Sequence, residues 1–276
     1  MRTDEQQPAR LADDEFIRNK LFSGEKSSLQ RYKELTVGPD ASLARLLHYE
    51  LVTMLLGGLP GALGLLLRKI FYPRLFRHCG RGVVFGRDLV IRNARNVRLG
   101  DQVIIDDDCV IDGRGAGQEQ MVIGNRVIVG RGAMLQSKIG PVHLGRDCDI
   151  GSGCIVHSQG ATYIGDEVVL GGGCKISGGN FQIERSPEVP GPSEMMAREQ
   201  TRWSSGPIRI GSRSILGMGC MVLDGVELGE GVVLGAGSIA TKSIPAWTVA
   251  VGAPAKVIRE RDSDERPGAR PAAPDG

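Results

Sequence analysis

Across residues 83–258 an aliphatic side chain returns at every sixth position. Leu99, Ile105 and Ile111 form one set of three, and Ile123, Val129 and Leu135 form the next. Leu144, Ile150 and Val156 follow, then Ile164, Leu170 and Ile176, then Ile210, Leu216 and Val222, then Leu228, Leu234 and Ala240. Phe85 and Ile91 are a partial earlier set. A period held in register through six triplets marks a repeat architecture. Extra residues enter only after the third member of a set, at Ile111, Leu135, Val156 and Ile176. That spacing predicts a triangular coil with three six-residue sides, loops leaving from one edge, and about 4.8 Å of rise per coil. Each coil pairs its backbone with the coils above and below it, so only the two ends need caps.

The flanks read differently. Residues 1–40 are polar and charged and predict a flexible tail, with one short helix over 13–21. Residues 41–80 predict a helical lead-in, with Ser42 as its N-cap. Residues 81–260 predict the β-helix domain with a long arm at 177–207, and 261–276 predict a disordered tail.

Composition narrows the picture. Glycine accounts for 40 of 276 residues and aromatics for only 4%, so the chain buries area by stacking aliphatics and turning tight corners. A formal charge of +2 gives no sign of a nucleic-acid partner. The first twenty residues are charged and do not read as a signal peptide. The expected location is therefore the cytoplasm or the inner face of its membrane, with the six cysteines reduced. Cys109, Cys154, Cys174 and Cys220 each sit two before a third-hexad aliphatic, Ala133 takes that place in another coil, and Cys148 holds the equivalent place on another side. Two readings fit: a thiol ladder for metal, or an inward column of small residues. The second is preferred, because no CxxC or Cys/His spacing supports a metal site, and none is expected.

The hexads, the arm and the ending resemble the hexapeptide-repeat acyltransferases, the left-handed parallel β-helix family that includes maltose, galactoside and xenobiotic acetyltransferases. The stretch IRIGSRSILGMGCMVLDGVELGEGVVLGAGSIATKSIPAWTVAVGAPAKVIRER, residues 208–261, carries the resemblance most specifically. It implies a homotrimer with active sites between neighbouring prisms, acetyl-CoA or another acyl-CoA as co-substrate, and a sugar or glycan acceptor. It implies that Gly217 and Met218 line the thiol and pantetheine arm, with Ala236 one coil later. It places Thr241, Lys242 and Lys256 near the adenine and phosphates.

One position departs from the pattern. The family's arm opens with a histidine that deprotonates the acceptor. Here the stretch is KISGGNFQI, and that slot holds Phe181, after Asn180. His157 follows Val156 at the loop-bearing edge, one coil earlier, and is the candidate general base, oriented by Ser158, Asp112 or Ser177. Glu184 in the arm is the weaker alternative. The expected function is acyl-CoA-dependent O-acyl transfer. The alternative is a catalytically degenerate β-helix that binds or scaffolds, and Phe181 is its main support. A carbonic anhydrase would need three converging histidines, but only His143 and His157 lie in the repeat. A sugar nucleotidyltransferase would need a preceding Gly-rich phosphate loop, which the first 80 residues do not supply.

The lead-in has two readings. Residues 51–67 are 17 uncharged residues interrupted by Pro60 and four glycines, too short and too broken for a simple span. Residues 68–98 hold eight Arg and one Lys against Asp88 alone. The stretch 51–98 is either a peripheral membrane contact or a helical hairpin that caps the first coil.

Overall fold

The structure is a computed structural model that describes residues 26–115, 121–178, 180–181, 203–204 and 206–261. Its architecture is a left-handed parallel β-helix with helices at the N-terminal end. Three sheets form the sides of a prism. The first face runs through the strands at His78–Cys79, Val97–Leu99, Met121–Ile123, Val142–Leu144, Thr162–Ile164, Ile208–Ile210 and Glu227–Leu228. The second runs from Val84–Phe85 to Thr248–Val251, and the third from Val90–Arg92 to Ile239–Ala240.

Register confirms the hexads residue by residue. Leu99 pairs with Ile123, Ile105 with Val129 and Ile111 with Leu135. Further along, Ile164 pairs with Ile210, Leu170 with Leu216 and Ile176 with Val222. These side chains point inward and are almost wholly buried, so like stacks on like along the prism axis. The loops leave at the corner between the third and first faces, as the insertions required.

The cysteines join the inward column. Cys109, Cys148, Cys154, Cys174 and Cys220 are buried and unbridged. Their Sγ atoms donate to carbonyls of the next coil, from Cys154 to Gly171 O at 3.2 Å, Cys174 to Gly217 O at 3.1 Å and Cys220 to Gly235 O at 3.1 Å. Each of these carbonyls also accepts a backbone N–H from its own corner turn, at 3.2–3.4 Å, so the thiol adds a second, inward donor.

Three helices precede the coils: α1 (Ser28–Thr36), α2 (Leu43–Leu56) and α3 (Gly61–Phe71). Ser27 and Gln30 form a capping box on α1, so the flexible-tail reading of 1–40 fails over its second half. That box, rather than any apolar period, starts the helix. The expected helix over 13–21 and the tail beyond 261 lie outside the described residues. Ser42 caps α2 by accepting from Arg45 N at 3.2 Å, as expected. Tyr72, just past α3, packs on Phe85 with ring centroids 5.5 Å apart. Arg68 is 2% exposed and donates to Phe85 O, Leu56 O and Leu59 O at 2.8–3.1 Å. One guanidinium thus joins the end of α2 to the first coil, and the hairpin caps the prism. At the other end the strand at Lys256–Glu260 turns back antiparallel along Thr248–Val251 and covers the last coil of the second face.

Candidate active site

The three corners of the prism carry different chemistry. The corner between the first and second faces is charged. Arg126 binds Asp147, Arg146 binds Asp166, and Arg213 binds both Glu167 and Glu230. The backbone there is left-handed at Gln102, Arg126, Asp147, Glu167 and Arg213, with φ of 54–60°. These exposed pairs staple neighbouring coils and add little stability each.

The corner between the second and third faces has the same left-handed step, and from Gly132 onward glycine holds it in every coil. Gly153, Gly173, Gly219 and Gly237 hold φ of 67–73°. A Cβ at any of these four would meet nothing within 4 Å. The other corner shows that L-residues can take this conformation here, so backbone geometry alone does not demand four glycines. The residues just before them are Ser152, Gly172, Met218 and Ala236, all small or unbranched. The result is an uncharged ribbon four coils long, about 14 Å at one strand spacing per coil. Gly217 has a structural reason of its own: a Cβ there would lie 2.5 Å from Ala236 N.

The corner between the third and first faces carries the loops and the arm. The arm rises from Gly178, whose N–H donates to His157 O at 2.9 Å. Its stem is a two-stranded antiparallel ladder, Asn180 opposite Ser204 and Phe181 opposite Trp203. It returns at Gly206, whose N–H donates to Asp224 Oδ2 at 3.0 Å. Asp224 therefore anchors the arm, a role sequence reading missed. Its place two after Val222, level with the start of the arm in the preceding coil, was the available signal.

His157 stands on the third face beside that stem. Val156 and Ser158 on either side are wholly buried, and the half-buried His157 points outward, away from the aliphatic stack. It lies in register with Gln136 on one coil and Ser177 on the next. Gln136 lies in turn beside Asp112, and its Nε2 donates to Asp112 Oδ2 at 3.1 Å. Asp112 is held by Arg114 through contacts of 2.6–2.9 Å.

This ladder revises the expected orienting groups. Ser158 faces inward and donates to Gly160 O at 3.1 Å, so it cannot steer the imidazole. Asp112 is two coils away, with Gln136 in register between them. Ser177 is the immediate neighbour. Gln136 was not among the residues singled out from sequence, because an amide in a loop-bearing hexad has no distinctive spacing. Glu184 lies outside the described residues.

The six expected cofactor residues fall on two margins of the third face. Gly217, Met218 and Ala236 lie on the bare corner, and Met218 is 69% exposed. Lys256, exposed, sits opposite Val251 just past the last coil of the second face. Thr241 and Lys242, both exposed, follow Ala240 at the arm-bearing corner, level with the position of His157. One side of the prism separates the margins. At about 3.3 Å per residue, the five steps from Met218 to Leu223 span at most roughly 16 Å. A single chain therefore does not bring His157 against its own bare corner. His143 lies on the first face, edge-on to Tyr163 with centroids 5.3 Å apart, and does not converge with His157. Among the described residues no cluster of three or more His, Cys, Asp or Glu could hold a metal ion.

Comparison with known proteins agrees with this architecture. The pattern described as bacterial transferase hexapeptide (six repeats) matches residues 207–242, and the hexapeptide repeat of succinyl-transferase matches 120–158. A Staphylococcus aureus protein named "Putative acetyltransferase" is 47% identical over 73 residues, 26% of this chain and 37% of that protein. A Schizosaccharomyces pombe protein of the same name is 36% identical over 123 residues, 45% of this chain and 55% of that one. The chain thus spans about half or less of the curated relatives it matches. Among solved structures, a Clostridium difficile maltose O-acetyltransferase aligns over 80% of this chain and 90% of its own, at 20% identity and a TM-score of 0.40. AntD, an N-acyltransferase from Bacillus cereus, aligns over 68% and 85% at 20% identity and a TM-score of 0.45. Both are too distant to carry a function. The repeat patterns and the acetyltransferase-named relatives bear out the resemblance to hexapeptide-repeat acyltransferases.

Proposed function

From the premise that this chain is a hexapeptide-repeat β-helix, we propose that it is an acyl-CoA-dependent O-acyltransferase, acetyl being the first acyl group to test, acting on a hydroxyl of a sugar or glycan. The observation that carries this reading is the bare corner. In three consecutive coils glycine holds the left-handed step here, at Gly153, Gly173 and Gly219, where the charged corner keeps Asp147, Glu167 and Arg213; in the next coil both corners hold glycine, Gly237 and Gly231. An extended pantetheine arm suits such a ribbon, where the left-handed glycines leave the backbone open and Met218 is the one large side chain beside it. When bound, the thioester supplies an activated acyl carbonyl.

The chain's own residues supply the rest. Gly217, Met218 and Ala236 line the ribbon. Thr241, Lys242 and Lys256 are placed for phosphates, which flexible ammonium groups suit. His157 takes the proton from the acceptor hydroxyl, the oxygen attacks the carbonyl, and the carbon–sulfur bond breaks as the thiolate leaves. The same imidazolium returns the proton to the sulfur. Gln136, tied to Asp112 and Arg114, and Ser177 flank the ring on its two neighbouring coils. Because the bare corner and His157 lie on opposite margins of one face, a homotrimer that sets one protomer's corner against its neighbour's third face would complete the site.

The second reading, a non-catalytic scaffold, draws on Phe181 in the arm stem. A thioester-cleavage assay with acetyl-CoA and a panel of sugars separates the two. The proposal expects turnover with at least one acceptor and its loss in His157→Ala. A chain that binds no CoA and cleaves no thioester is a scaffold.

A further inference from the structure

The outer side of the helical cap reverses the usual arrangement of a water-soluble helix. In α3 the inward positions are Gly64 and Arg68, both buried. Leu63, Leu65, Leu66, Ile70 and Phe71 are exposed, between 38% and 61%. Burying an arginine while leaving five large apolar side chains in water is costly on both counts. α2 adds an exposed stripe of Leu43, Leu47, Leu51, Met54 and Leu55, spaced by three and four residues along one side. Ten large apolar side chains on two adjacent helices exceed what a soluble surface ordinarily leaves open, and such patches mark interaction sites.

The surroundings of the patch are basic. Lys69, Arg74, Arg77, Arg81, Arg95 and Arg98 are all exposed, on α3 and on the first coils beneath the cap. Asp88 is the only acid between 68 and 98. This combination selects the occupant. A second copy docked cap to cap would bring two cationic collars together and repel. A surface apolar within and anionic at its margin matches both features. Neither helix crosses it: α2 has 14 residues and α3 has 11, and no described helix is long and apolar enough to span a membrane.

We propose that the cap is a membrane-contact surface. α2 and α3 lie in the interface of an anionic bilayer, with the leucine stripes among the acyl chains and the arginine collar against lipid headgroups. The inner side of the same hairpin closes the prism through Arg68 and Tyr72, so one element caps the fold and holds it to the lipid surface. The inference is independent of the acyl-transfer reading.

Flotation of the full chain with vesicles tests it, using phosphatidylcholine alone and two parts phosphatidylcholine to one part phosphatidylglycerol. The chain is expected to float with the anionic vesicles at low salt and more weakly with the neutral ones. Leu47→Gln/Leu51→Gln/Leu66→Gln keeps its melting temperature, since these sites touch water rather than the core, and loses binding by roughly tenfold or more. Lys69→Glu/Arg98→Glu loses the preference for anionic lipid. The proposal falls if the native chain stays at the bottom of the gradient with both vesicles. It also falls if the triple leucine variant changes oligomeric mass in light scattering while floating as the native chain does, because a second copy would then be the occupant.

Discussion

At His157 the alternation of one short strand decides what the residue can do. Val156 and Ser158 are inside, so the imidazole is outside, between Gln136 and Ser177 and beside the stem of the arm. General-base assistance contributes about 10²–10⁴-fold. His157→Ala should lower kcat within that range and leave CoA affinity unchanged, read by single-turnover kinetics and calorimetry. The outward direction was legible in the sequence, because Val156 belongs to the aliphatic period and its neighbours must alternate around it. The same alternation turns Ser158 inward, against its expected orienting role, and Gln136 follows Leu135 as His157 follows Val156; what the hexads do not give is which outward side chains on neighbouring coils bond to one another. The cysteines were legible for the same reason as Val156. Burial pushes Cys148 up to about 11 and raises Cys109 as well. Cys154 is shifted the other way, lowered by its hydrogen bond with Cys174, but all five are at most 1% exposed; for want of access they should resist iodoacetamide at neutral pH in the native protein, and all six should react in denaturant, as mass spectrometry would show.

At the scale of elements, the two glycine classes of the bare corner make opposite demands. A Cβ at Gly171 would lie 2.7 Å from Met218 N, with backbone on either side. A Cβ at Gly173 would meet nothing, and only its φ of +73° resists an L-residue. Gly171→Ala should cost about 2 kcal/mol or more through coil displacement, and Gly173→Asn under about 1 kcal/mol, because asparagine tolerates this region; chemical denaturation distinguishes them. The hexad period could not separate these classes, since both glycines simply follow Leu170. The helices show a similar limit. In a run as apolar as 51–67 every side looks hydrophobic, so sequence could not reveal that α3 turns its arginine inward. Arg68→Ala should cost about 2–4 kcal/mol, because three carbonyls at the junction of α2 and the first coil lose the guanidinium, and among the described residues only Leu56 O keeps a second donor, Leu59 N at 3.4 Å. The arm's stem was foreseen as a departure and a return, but the grip of Asp224 on that return was not.

For the whole molecule, the prism was legible because one aliphatic column per side must stay in phase over every coil. The site was not fully legible, because its two margins lie on one face and no single chain closes them together. Ion pairs along the corners make a small part of the stability depend on pH. Backbone N–H groups of Arg87 and Arg146, together with their guanidinium groups, hold Asp107 and Asp166 below the usual carboxylate range, and Arg126 does the same for Asp147. A depressed folded-state value gives stability that is present above about pH 4 and lost as pH falls through the folded values. The melting temperature should stay level from neutral pH down to about pH 5 and then drop, modestly because these pairs are exposed.

The central claim is that the bare corner is where the acyl carrier lies. CoA titrated calorimetrically into the native chain, into Ala236→Glu and into Arg213→Gln tests it most directly. Ala236 is exposed on the ribbon, and Arg213 lies on the charged corner. The account predicts binding by the native chain and by Arg213→Gln, and its loss when Glu stands at 236. Equal affinity for all three, or no affinity in the native chain, would contradict it.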